Sequence, residues 1–157
     1  MSDTPMIDAV SVESMTALLQ SAGYRVTPSE QGDVVQLLSA SQGVGFALRF
    51  GNRRSDTEYL DYTLSCALRV QGALPPALVN DWNSQKRFAR LSHQAGFLLL
   101  EQDVIVAGGV SEGCLRANAE IWDRLLQEFI LFLKQYIAQP ADADAAADAD
   151  AVETETA

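Results

Sequence analysis

Glu101 and Asp103 stand two residues apart in an alternating apolar segment, so on a strand both carboxylates project from one side. Such a pair can do acid–base work when burial drives its two pKa values apart. On a sheet with one wet face, the same spacing reads as two solvated acids near a hairpin. Arg69 and Arg90 on other strands would then complete a surface ion-pair array of small energetic worth. His93 is the only histidine, with no cysteine or second histidine at ligand spacing, so no metal site is expected. Gly108-Gly109-Val110-Ser111 precedes a helical pattern, and helix N-termini can take anions. A left-handed turn followed by an N-cap serine explains the same four residues. Neither this stretch nor Gly43-Val44-Gly45 carries the lysine of a phosphate loop, and no G-x-S-x-G elbow occurs. No catalytic, cofactor or metal residues are expected.

The elements that would position these groups follow from periodicity. Ser11 has the place of an N-cap, flanked by a Val10–Met15 staple, ahead of a helix over 12–22 that Gly23 stops. Tyr24 to Val26 offers an optional short edge strand, not counted among the five expected strands, and Pro28 to Asp33 reads as a turn. Residues 34–40 and 45–50 then read as strands joined by Ser41-Gln42-Gly43. Residues 59–70 alternate most cleanly: Leu60, Tyr62, Leu64, Cys66, Leu68 and Val70 share one face. One apolar side and one polar side is antiparallel behaviour. A helix over about 76–85 starts at Pro75-Pro76. Residues 88–93 and 97–106 form a hairpin, and Gly108-Gly109 reverses the chain. Cys114 to Gln139 contains neither Gly nor Pro and carries a broad apolar stripe, in part wider than one sheet face needs. The expected architecture is an α+β domain with a single antiparallel five-stranded sheet, in the order α-β-β-β-α-β-β-α.

Between the second helix and the hairpin the chain reads Asn80-Asp81-Trp82-Asn83, then Arg87-Phe88-Ala89-Arg90, with Gly108-Gly109 after the hairpin. In that order and topology these residues resemble the YbjN family, described as bacterial sensory transduction regulators. The likeness runs from about Val12 to Tyr136 and is better after Pro75. It implies a fold similar to type III secretion chaperones and a small, cytoplasmic, dimeric, non-enzymatic protein that regulates or chaperones through protein contact. It assigns no catalytic residues and no cofactor. Asn80, Trp82, Asn83, Arg87, Phe88, Gly108 and Gly109 are its motif positions and the candidate interaction residues. From residue chemistry alone, the two asparagines can satisfy backbone groups at a helix-to-strand corner while Trp82 anchors the helix to the sheet.

The chain of 157 residues suits one domain. Its net charge is −10, but six acids follow Pro140 with no Lys or Arg among them, so residues 1–139 carry only −4. That balance lacks the basic clustering a nucleic-acid partner requires. No apolar run reaches membrane length, and the first residues show neither a basic start nor an apolar core of a leader. Cys66 and Cys114 have no motif spacing and read as packed thiols. Residues 1–10 are expected to be mobile, 11–139 to form the domain, and 140–157 to be a disordered acidic tail. The expected partners are a second copy and an unidentified protein client. Two alternatives stand beside a regulator of this kind. One is a secretion-chaperone-type binder of an extended client segment. The other is a small-ligand sensor or enzyme using Glu101, Asp103 and the Gly-Gly turn.

Overall fold

A computed structural model describes residues 5–32, 34–70, 72–137 and 152–155. The first helix, α1 (Val12–Ser21), begins with a reciprocal cap. Ser11 Oγ accepts from the Ser14 N–H (3.0 Å) and Ser14 Oγ accepts from the Ser11 N–H (2.8 Å). Six strands follow a continuous path: β1 (Thr27–Gln31), β2 (Val34–Ser41), β3 (Val44–Phe50), β4 (Asp61–Val70), β5 (Arg90–Gln94) and β6 (Phe97–Ile105). Between β4 and β5 lies α2 (Leu78–Gln85), and after β6 comes α3 (Glu112–Ile137). The spatial order is β1-β2-β3-β4-β6-β5, antiparallel throughout. A short seventh strand, β7 (Val152–Glu155), pairs with β4 off that path.

The sheet's even-numbered face on β4 and β6 is dry, because Tyr62, Leu64, Cys66, Leu68, Leu98 and Leu100 are all buried there. One apolar cluster joins this face to all three helices through Met15 and Leu19, Leu78 and Trp82, and Leu115, Trp122, Leu126 and Phe129. The opposite face carries Arg49, Thr63, Glu101 and Asp103. The expected α+β class and antiparallel sheet are therefore present, with more strands than the five expected. The added main-path strand, Thr27–Gln31, overlaps the Pro28 to Asp33 segment read as a turn, while Tyr24–Val26 is not strand. Pro28 stands on this outermost strand, where a missing N–H is tolerated and discourages a further strand from joining.

Two terminal segments make backbone pairings. Near the start, Ile7 and Val110 exchange backbone hydrogen bonds (2.6 and 2.8 Å), and Val10 does the same with Tyr59 (2.9 and 2.8 Å). Of the acidic tail expected over 140–157, residues 152–155 are strand, and the rest of it, with residues 1–4 and 138–139, lies outside the described residues. The broad stripe on α3 also has an intramolecular explanation. Trp82 of α2 meets the rings of Phe129 and Phe132 edge-on, each at 5.4 Å, so part of that arc faces α2 and not the sheet. Trp82 thereby ties its helix to α3 through these rings and to the start of β5 through its indole N–H, which donates to the Ala89 carbonyl.

Candidate interaction site at the helix–strand corner

The N-x-W-N residues close the free edge of β5. Leu91 lies on that outermost strand, and an edge strand leaves its outward N–H and C=O groups unpaired unless something covers them. Asn83 does so with both ends of its amide. Its Oδ1 accepts from the Leu91 N–H (2.8 Å) and its Nδ2 donates to the Leu91 carbonyl (2.9 Å). Two residues earlier in the chain, the Trp82 indole N–H donates to the Ala89 carbonyl (3.2 Å), with the ring fully buried. The side chains thus stand in for one residue of a neighbouring strand. Asn80 plays no part in this; it is exposed on α2. Tyr136 of α3 donates to Asp81 Oδ2 (2.8 Å) and Lys86 pairs with Glu128 (3.0 Å), which ties α2 down at both ends.

Phe88 is different in kind. It is 54% exposed and its φ is +79°, a conformation that costs a bulky residue energy and is seldom kept without a reason. The Arg87 guanidinium sits 4.7 Å from the centre of its ring. Beside it, Asn83, Phe88, Ala89, Arg90 and Asp103 border a shallow hollow. Phe88 is also why β5 begins at Arg90 and not at residue 88 as expected: left-handed backbone cannot belong to a strand.

The carboxylate pair is held by cations. Glu101 pairs with Arg49 and, at 3.5 Å, with Arg90. Asp103 accepts from Arg90 (2.6 Å) and from Thr63 Oγ1 (2.7 Å), and the Arg90 guanidinium holds its carboxyl below the usual carboxylate range. Arg90 is therefore an ion-pair partner on the exposed face, as expected for the array. The second arginine of the array is Arg49, not the expected Arg69, whose guanidinium lies over the Phe97 ring at 5.6 Å. Sequence reasoning missed Arg49 and Thr63 because their place depends on β6 lying beside β4. That register aligns Arg49, Thr63 and Asp103 across three strands. The only signal was parity: all three are odd-numbered, as the outward face of β4 requires.

The Gly-Gly turn is a reversal followed by a cap. Gly108 and Gly109 have φ of +90° and +99°, which explains both glycines, and Ser111 Oγ accepts from the Cys114 N–H (3.0 Å). A groove near α1 is lined by Arg54 and Arg116 among others. Arg54 pairs there with Asp8 and Glu58 (3.0 Å each), and Arg116 donates to Ser21 Oγ (2.7 Å). His93 is exposed at the end of β5. Cys66 is buried, its thiol pushed up to about 12 by desolvation, whereas Cys114 is exposed and not packed as expected. Among the described residues, no group of three or more His, Cys, Asp or Glu side chains could hold a metal, and no helix is long and apolar enough to cross a membrane.

With the corner and its neighbours described, comparison with family models supplies the decisive observation. Residues 11–135 match the YbjN model, described as "Putative bacterial sensory transduction regulator". The chain belongs to the YbjN family. The YbjN match takes in α1, the six strands of the main path, α2 and nearly all of α3, and it ends well before β7. Neither the curated proteins nor the solved structures yield a match to this chain.

Proposed function

We propose that this YbjN protein is a non-enzymatic regulator that works by contact with another polypeptide, and that Phe88 with Arg87 forms its contact point. The observation that carries this reading is Phe88 itself, a large aromatic left exposed in a backbone conformation that disfavours it. Aromatic and arginine side chains are the commonest anchors of protein interfaces, especially when rigidly held. Here α2 and β5 fix the backbone on both sides of the ring. The family's description as a regulator agrees with such a role.

Enzymatic and small-ligand readings have less support. Glu101 and Asp103 are each engaged by arginine, and the Ser111 hydroxyl is engaged as a cap. Self-association belongs to the same proposal, with Leu131, 54% exposed, as an apolar contact point on α3. Light scattering on the full chain at tens of micromolar tests it, a dimer mass being the expected result. Two free cysteines suit a reducing cytoplasm, where we place the protein.

The contact point is tested by capture from the native host on immobilised full-length protein, wild type beside Phe88→Ala, with quantitative mass spectrometry. The reading expects a defined set of proteins to fall at least tenfold on the variant while its melting temperature is kept. Equal capture by both proteins would remove Phe88 from the account.

A further inference from the structure

The β3–β4 pairing stops at Ala47 opposite Ser65, although β4 continues to Val70 and β3 continues to Val44 on its other side with β2. The sheet therefore divides, and among the described residues of the family domain no strand pairs with the last stretch of β4 on its β3 side. The direction of its backbone groups follows from strand alternation. The Asp61 carbonyl accepts from Gly51 on the β3 side (3.0 Å), whereas the Val70 N–H donates to Gly96 on the β6 side (2.8 Å). Odd-numbered residues thus face the gap, which places the N–H and C=O groups of Ala67 and Arg69 there. Unpaired backbone groups in a sheet are a template for another strand. In this chain β7 fills the place, with Glu155 opposite Ala67 and Glu153 opposite Arg69.

The occupant comes from outside the matched domain. Residues 138–151 separate it from α3, enough chain to reach about 45 Å when extended. Its sequence, β-branched at 152 and 154 and acidic at 153 and 155, has the two-residue period of a strand. We propose that the β4 edge at Ala67 and Arg69 is a strand-accepting site for an extended acidic segment, and that the chain's own C-terminal segment occupies it in cis and governs access to it. The site is separate from Phe88 and does not depend on the role given to that residue. A short tether supplies an effective concentration in the millimolar range, so a competing strand succeeds only at comparable concentration or after the tail is released.

Amide hydrogen exchange by NMR on the full chain, wild type against Glu153→Pro, tests this. Proline removes the N–H that faces Arg69 and leaves the domain untouched. The Ala67 and Arg69 amides should exchange at least tenfold faster in the variant, while those of Leu68 and Val70, directed to β6, stay unchanged. A synthetic peptide of residues 148–157 at about 1 mM should then restore their protection. That follows because a tenfold cis protection at millimolar effective concentration corresponds to a dissociation constant of about 0.1 mM. A peptide carrying proline at position 153 should not restore it. Unchanged exchange in the variant would overturn the proposal. So would failure of the peptide to protect these amides, or acceleration shared equally by residues 66–70, which would mark loss of β4 itself.

Discussion

The outer edge of β5 and the divided edge of β4 present the same hazard, outward backbone groups with no neighbouring strand, and the chain meets it in two ways. At β5 the cover is built into the domain: α2 is packed on α3 through Trp82, and Asn83 replaces a strand with one amide. At β4 the cover is a tethered four-residue strand that arrives from beyond the family domain. A cover welded into the core can open only when the domain opens. A cover on a tether can leave while the domain stays folded. The difference assigns the two edges different uses, one for permanence and one for exchange with something else.

Four substitutions break or sharpen this contrast, in falling order of effect. Trp82→Ala removes the weld itself. With a fully buried ring gone and the Ala89 carbonyl unpaired, urea unfolding should show a loss of about 3–5 kcal/mol. Asn83→Leu keeps the bulk and removes only the surrogate strand. Its loss should be about 1–3 kcal/mol by the same method, toward the lower end because water reaches an edge. A value near zero would mean the amide is ornamental. Glu153→Pro should lower global stability by about 1.4 kcal/mol, because a tenfold docking made only in the folded state contributes about that much, while the domain itself stays intact.

The smallest effect concerns the charges between β5 and β6. Asp103 has a folded pKa below its ordinary value because Arg90 bonds to it. A depressed carboxyl pKa contributes stability that is present above the unfolded value, about 3.9, and is lost as pH falls through the folded one. Asp103→Asn should therefore be slightly less stable than wild type near neutrality, with the gap closing below about pH 4. Because Asp103 is half exposed, solvent screening keeps the gap small. A gap that widened in acid would contradict the assigned pairing. Thiol labelling offers a plain check on the core beneath: Cys114 should react in the folded protein and Cys66 should not.

Much of this was legible from residue order, for identifiable reasons. The alternation of residues 59–70 and the serines at 11 and 111 act locally, so the central strand and both caps could be read directly. The Asn83 corner was legible in kind, since an amide beside a turn into a strand has few other uses. What escaped depended on distant partners. Thr27–Gln31 is strand because β2 pairs with it, against its own Pro, Ser and Gln content. The role of Arg49 required knowing that β6, not β5, lies beside β4. The tail's sequence reads as solvated until an unfilled edge is there to receive it. The wide stripe of α3 was legible, but that Trp82 of α2 meets its Phe129 and Phe132 was not, because that contact depends on how two distant helices pack.

The most direct measurement compares, in one wild-type spectrum series, the exchange of the Leu91 amide with those of Ala67 and Arg69. If the edges differ as described, Leu91 exchanges at the rate of deep core amides such as Leu98, and Ala67 and Arg69 exchange at least roughly tenfold faster by local release. Equal rates at all three positions would contradict the account.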